Sequence, residues 1–270
     1  MTLTDSTRRV PRFGARYVLE YRLRNILKYF WAITAISILN PLLYLISFGV
    51  GVGTLISNNM GPHGIDGVSY LTFIAPALLA SSAIQGSVDD VVFPTLEGFK
   101  WGKIFFGMNA TPQTGASIAS GVFLAAIVRA VFGVSIYALI LYFFGAMDSS
   151  HAYLAIPIAI FAGASFGALM LAVASHADNE DLFLTILGRF LIGPMFLFSG
   201  TFYPLSALPI GLQFFGWISP LWHATELGRW ATYGHSISGV MVLIHFLFLS
   251  VMLILGLFFA FKQYSRRLAK

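Results

Sequence analysis

Ser199 and His245 are the residues in this sequence that come nearest to a nucleophile and a general base. To act together they would have to meet within hydrogen-bond reach. Both fall toward the same end of neighbouring apolar stretches, so spacing alone leaves hydrolysis open, although no local motif surrounds either residue. Asp89 and Asp90 are adjacent and point in different directions on a helix, at the end of an apolar stretch, so they do not read as a proton-carrying pair. Arg129 and Arg189 stand inside apolar stretches. Each is either an anchor whose long side chain reaches back to water or a buried charge with a function. Gly98 to Lys103, GFKWGK, has three residues between its glycines and Ile104 after its lysine. A phosphate-binding loop has four there and then Ser or Thr, so no nucleotide motif is present. Cysteine is absent, which excludes disulfides, thiolate chemistry and Cys-based metal sites, and no metal or cofactor is expected on the chain.

The elements that position these residues are set by composition. Of 270 residues 57% are hydrophobic and 10% charged, and the mean hydropathy is +0.80, far from a soluble domain. A helix crosses a bilayer with ~20 apolar residues. Six stretches qualify: 30–53, 69–88, 122–144, 152–174, 182–203 and 239–261. Continuous apolar runs, rather than short alternating strands, argue against a membrane β-barrel. The expected fold is therefore an all-α polytopic membrane protein of six transmembrane helices, forming one transmembrane domain over 1–270.

Thirteen of the sixteen Lys and Arg residues lie in the N-terminal segment (Arg8 to Lys28), in the segment after the second stretch (Lys100, Lys103) and in the C-terminal tail (Lys262 to Lys270). Positive charge in short flanking segments stays cytoplasmic. The expectation is thus both termini in the cytoplasm. The formal charge of +5 is topological, so no nucleic-acid partner is expected. The first long apolar run begins only at Phe30 and is long enough to be an anchor, so it does not read as a cleaved leader.

Residues 1–29 form a basic segment whose later part mixes arginines with Phe13, Tyr17, Tyr21, Leu23 and Leu27, the pattern of a helix lying in the membrane interface; residues 1–10 read as a tail. The loop 94–114 interleaves Glu97, Lys100 and Lys103 with Phe99, Trp101, Phe105 and Phe106, which predicts a short amphipathic helix. Asp178, Glu180 and Asp181 suit the N-terminus of the fifth helix. Gly163 and Gly167 allow close helix packing. Residues 204–234 are apolar but broken at Pro204, Pro209 and Pro220 and carry Trp217, Trp222 and Trp230. Non-spanning backbone at membrane depth must satisfy its polar groups. The reading is a re-entrant helical hairpin, the alternative a pair of helices flat on the surface. Within it His223 and Glu226 stand beside Arg229, and a Glu226–Arg229 pair at i,i+3 is expected.

The stretches NPLLYLISFGVGVG, GVSYLTFIAPALLASSA, LEGFKWGKIFFGMNATP, and PMFLFSGTFYPLSALP followed by SPLWHATELGR together resemble the membrane subunit of type-2 ATP-binding-cassette exporters, over nearly the whole chain. The nearest branch resembles nodulation-factor exporter permeases, with daunorubicin-type drug exporters close by. The resemblance implies a half-transporter in a bacterial inner (plasma) membrane: two permease chains, expected as a homodimer, form the path, and separate cassette ATPase subunits carry ATP and Mg. It implies that Glu97 to Phe106, including Phe99, Lys100, Trp101, Lys103 and Phe105, couples to that ATPase, and that the first and fifth helices line the path across the dimer. Pro204, Pro209, Pro220, Trp222, His223 and Glu226 would shape the exit for an amphipathic or lipid-linked substrate leaving the bilayer, whether glycolipid, glycan or hydrophobic drug. A membrane assembly or immunity factor that binds its ATPase without moving cargo is the alternative from another class, with an intramembrane hydrolase behind it.

Overall fold

The computed structural model describes the backbone of residues 3–60, 64–147, 150–177 and 179–269, with side chains over the same residues except 3–12, 50 and 57–60. Ten helical elements follow in chain order. They are α1 (Leu3–Lys28), α2 (Phe30–Ile56), α3 (Tyr70–Trp101), α4 (Ile104–Asn109), α5 (Gly115–Phe143), α6 (Ala152–His176), α7 (Glu180–Phe198), α8 (Ile210–Trp217), α9 (Pro220–Tyr233) and α10 (Gly239–Leu268). Among the described residues the one strand-like feature is an isolated bridge between Ile65 and Val68. Helices α2, α3, α5, α6, α7 and α10 are long and apolar enough to cross a membrane.

The core is α3 against α6, flanked by α5 and α10. Small residues let these backbones approach. A Cβ on Gly163 would lie 2.7 Å from the Ala83 carbonyl oxygen of α3, and one on Gly256 would lie 2.5 Å from the Leu169 backbone nitrogen of α6. Dispersion contacts at such crossings hold helices together in lipid, where apolar side chains gain nothing by leaving the solvent. Two clusters fill the interior, one around Val91, Phe166 and Tyr264, the other around Phe73, Leu79 and Tyr137. α2 and α7 are peripheral and expose most of their apolar surface, including Trp31, Leu43, Phe190 and Leu197.

The spans run longer than their apolar cores. α5 starts at Gly115, seven residues before the expected start at Val122, because Thr114 and Ser117 form a reciprocal capping box. α3 continues past Val88 through Pro94 to Trp101, its last turn a π-turn over Glu97–Trp101. α7 ends at Phe198 rather than Tyr203, because Gly200 turns the chain at φ +70°. α10 extends to Leu268.

α1 is a continuous helix that starts at Leu3, where a tail was expected over residues 1–10. It crosses α5 where Val18 is buried over Gly121 and Gly14 meets Ser117, and it turns Phe13, Tyr17, Tyr21 and Leu27 outward. The side chains of Arg8, Arg9 and Arg12, and Asp178 and Lys270, fall outside the described residues. Asn179 caps α7 by accepting from the Leu182 amide.

Candidate functional site

A cavity of about 400 Å³ opens between α2, α3, α5 and α7, which wall it, and Leu221 at the start of α9 also lines it. Arg129 stands midway along α5, because that helix begins seven residues early, and donates to Asp90 Oδ1 across the cavity. Asp90 is 7% exposed, and its second carboxylate oxygen is buried with no hydrogen-bond partner among the described residues. The expectation that Asp89 and Asp90 stand at the end of their apolar helix is therefore corrected: α3 runs well past Val88, so both stand within the helix and line the cavity, Asp89 half-buried and Asp90 buried. Arg189 lies in a π-turn of α7, Leu187–Ile192, is exposed, and forms no ion pair among the described residues.

Beyond α7 the chain forms the hairpin α8–α9, which does not span. α9 packs against α3, α6 and α10, with Leu221, Ala224, Leu227 and Arg229 buried, so it is an interior helix and does not lie flat on a surface. α8 exposes Ile210, Phe214 and Phe215. Each proline sits where its missing amide costs nothing: Pro204 precedes a 3-10 turn at Leu205–Ala207, Pro209 precedes α8, and Pro220 is the first residue of α9, which Ser219 caps.

Arg229 is 1% exposed and pins the hairpin. Its guanidinium donates to Glu226 Oε1 at 3.1 Å and to the Gly200 carbonyl at 2.7 Å, and it stacks 3.7 Å from the Phe73 ring. His235 then bridges Glu226 at 3.4 Å and Asp66 at 3.1 Å, and the Tyr233 hydroxyl donates to Asp66 at 3.2 Å. Burial opposes ionisation of Glu226, but the hydrogen bond from His235 and the charge of Arg229 outweigh it and hold the carboxyl below its ordinary range. The hydrogen bond to Glu226 raises His235 above its ordinary value. The i,i+3 pair expected from sequence is thus one edge of a five-residue latch of Arg229, Glu226, His235, Asp66 and Tyr233.

Deeper in the hairpin, His223 Nε2 donates to the Trp217 carbonyl at 3.0 Å, which leaves Nδ1 to accept from His245 Nδ1 at 2.7 Å, with Trp222 edge-on to both rings. Burial pushes the His223 imidazole down to about 4, so it is neutral at physiological pH. Ser199 bonds instead to Ser219 at 2.5 Å and to the Met195 carbonyl. The Ser199 and His245 side chains are each committed to another partner, so the hydrolase constellation is not assembled.

At the far end of the bundle the segment 97–109 is a bent turn in place of the single amphipathic helix expected. Lys103 adopts φ +51°, and the chain doubles back so that Gly98 lies against the Phe105 ring. Phe99 and Phe105 are buried against Tyr264, with Arg267 4.5 Å over the Phe99 ring, so neither side chain is free to touch another protein. Trp101, Lys103 and Phe106 point outward. Glu97 pairs with Arg22 of α1 at 3.2 Å, and Lys100 with Glu180 in the first turn of α7 at 2.9 Å.

Residues 17–233 match the family model described as ABC-2 type transporter. Among curated proteins, the chain is 28% identical over 250 residues to nodulation protein J of Rhizobium leguminosarum bv. viciae, covering 86% of this chain and 87% of that protein. It is 26% identical over 286 residues to nodulation protein J of Rhizobium leguminosarum bv. trifolii, covering 98% and 99%. A third relative, nodulation protein J of Neorhizobium galegae, is 25% identical over 234 residues, covering 87% and 86%. Six membrane-length helices, a charged cavity among them and a family match that takes in the first five of those helices agree with one another. The chain is a multi-pass inner-membrane protein that belongs to the ABC-2 type transporter family, as the membrane component of a transporter.

Proposed function

We propose that this chain is the permease half of an ATP-driven exporter that moves an amphipathic or lipid-linked substrate, such as a glycolipid, glycan or hydrophobic drug, out of the cytoplasm or inner leaflet. Two copies form the path, both termini face the cytoplasm, and separate cassette ATPase subunits bind ATP and Mg. The ATPase seats on the exposed edge of the 97–109 turn, where Trp101, Lys103 and Phe106 lie. The observation that carries this reading, in a chain of this family, is the Lys100–Glu180 bridge. It links that turn to the start of α7, and α7 is also a wall of the cavity. A stroke delivered at the turn therefore reaches the space where cargo would stand. The hairpin, pinned by Arg229 and reaching the cavity wall at Leu221, is the resting gate.

Purifying the tagged chain from its native membrane in mild detergent, and identifying by mass spectrometry what accompanies it, tests this. A cassette ATPase at about equal amount, lost on Trp101→Ala with Lys103→Glu, is the expected result. A folded chain recovered with no nucleotide-hydrolysing partner overturns the exporter. A partner recovered with no dependence of export on Lys100 favours the assembly-factor alternative.

A further inference from the structure

The two sides of α1 meet different surroundings. One side packs: Gly14 meets Ser117 near the start of α5, Val18 is buried over Gly121, and Glu97 holds Arg22 at 3.2 Å with 15% of the arginine side chain exposed. The other side interleaves exposed Phe13, Tyr17 and Tyr21 with exposed Arg16, Arg24 and Lys28, against one acid, Glu20. That acid already accepts from Arg24 at 2.5 Å, so the outward face keeps net positive charge.

Helix length sets the depth of this face. α5 and α10 have 29 and 30 residues. At 1.5 Å per residue that is about 44 Å, which matches the ~40–45 Å of a bilayer with its headgroups. Gly14 lies beside the start of α5, and the apolar span of α2 begins at Phe30. The stretch from Gly14 to Lys28 therefore lies in the headgroup layer, between the end of the bundle and the hydrocarbon. Any headgroup layer accepts the rings, but only anionic headgroups match the charge.

The packed side leads to the 97–109 turn. Glu97 is the first residue of the π-turn Glu97–Trp101, and its carbonyl accepts the Gly102 amide at 2.8 Å and the Lys103 amide at 3.2 Å. The residue whose backbone closes the turn is thus the one whose carboxylate Arg22 holds.

We propose that anionic phospholipid headgroups of the adjoining leaflet bind the outward face of α1 at Arg16, Arg24 and Lys28, and that Arg22, a positioning residue, passes this order through Glu97 to the 97–109 turn. Leaflet charge then sets how firmly the turn is held. The role of the turn as an ATPase seat rests on the exporter reading; the lipid effect on its order does not.

Hydrogen exchange read by mass spectrometry tests this on the full chain, without an ATPase, in nanodiscs of phosphatidylcholine alone or mixed with phosphatidylglycerol. A basic residue near an anionic surface gains roughly fivefold in affinity. Exchange in 13–28 and 97–109 should therefore slow by on the order of fivefold with phosphatidylglycerol, while α6 exchanges alike in both lipids. Arg16→Gln, Arg24→Gln and Lys28→Gln together should abolish both effects. Arg22→Gln should keep the slowing in 13–28 and lose it in 97–109, and Arg22→Lys should restore part of it. Lys262→Gln with Arg266→Gln, which removes two exposed cations from the end of α10, should respond as the parent does. Equal exchange in the two lipids, loss of the effect on the α10 substitutions, a turn response that survives Arg22→Gln, or slowing reproduced by glycerol 3-phosphate in phosphatidylcholine discs each overturns the proposal. Slowing of 13–28 that requires an added ATPase and not anionic lipid assigns this face to that protein, and overturns it too. A chain recovered without an ATPase overturns the exporter reading and leaves each of these readouts in place.

Discussion

Replacing Arg229 with Met keeps a long apolar side chain and removes the guanidinium that pairs with Glu226 within α9 and joins that helix to the Gly200 carbonyl and the Phe73 ring. Because Arg229 is 1% exposed, solvent cannot substitute for any of these contacts. Glu226 would keep only His235, and the Gly200 carbonyl would lose its donor. Breaking a buried pair from one side costs about 3–5 kcal/mol, whereas removing both charges together is often close to neutral. The double variant Glu226→Met with Arg229→Met should therefore recover most of the loss. For a chain of this size each 1 kcal/mol moves the melting temperature by roughly 2–4 °C. The single variant should thus fall by on the order of 10 °C, and the double should fall clearly less. Tryptophan fluorescence of the detergent-purified chain during heating reads both, since Trp222 and Trp230 lie on α9 itself. A single variant that melts within about 2 °C of the parent, or a double variant worse than the single, would refute the view that Arg229 stabilises the hairpin through this pair.

Three further outcomes are expected. Lys100→Glu and Glu180→Lys should each cut export while costing under about 1 kcal/mol of stability, as a partly exposed pair does, and the two reversals together should restore export. The latch should also respond to pH. His235 contributes fully below its ordinary 6.5 and loses its contribution as pH rises through its raised value, whereas Glu226 contributes above its ordinary 4.5 and loses its contribution as pH falls through its lowered value, so the latch is strongest between 4.5 and 6.5. Because the chain has no cysteine, maleimide labelling of Trp230→Cys can follow this; labelling should quicken on the alkaline side, and His235→Gln should remove that part of the profile. Finally, Gly256→Ala places a Cβ 2.5 Å from the Leu169 backbone nitrogen and should cost about 1–3 kcal/mol by forcing α10 from α6. Gly188→Ala, whose new Cβ meets nothing within 4 Å, should not destabilise the chain.

The six spans were legible because each holds an unbroken apolar run, and the hairpin because its prolines cut a seventh run into pieces too short to cross. The Asp90–Arg129 site was not legible, for a definite reason. Hydropathy marks where a helix is apolar, and α3 and α5 both continue as helix through polar residues: α3 past Asp89 and Asp90, α5 from a start at Gly115. Moving those boundaries shifts Arg129 from near an end to the midpoint of α5, opposite a carboxylate 39 residues earlier in the chain. One local signal was present. Thr114 with Ser117 is a helix start, and it would have moved the boundary. The turn at 97–109 misleads differently. An amphipathic pattern assumes a straight helix, but Gly98 leaves room for the Phe105 ring and Lys103 reverses the chain, so Phe99 and Phe105 fold into the core while Trp101 stays outside.

The division of burial among the helices bears on how such a cavity could change shape. Its charged face belongs to α3 and α5, which are locked into the core by close crossings at Gly163 and by packing around Phe166 and Val122. Its other walls belong to α2 and α7, the two least buried spans, and each of these carries a π-turn, at Leu45–Val52 and Leu187–Ile192. A π-turn is a place where a helix already departs from its regular ladder, and local rearrangement is cheapest where buried contacts are few. A displacement entering α7 at Glu180 would therefore tilt that wall and carry Phe196 with it, while Asp89, Asp90 and Arg129 keep their places. On the proposed exporter reading, the peripheral helices would open and close around a fixed charged face, and the stiffness of the Arg229 latch would set how far the start of α9 yields at the cavity wall.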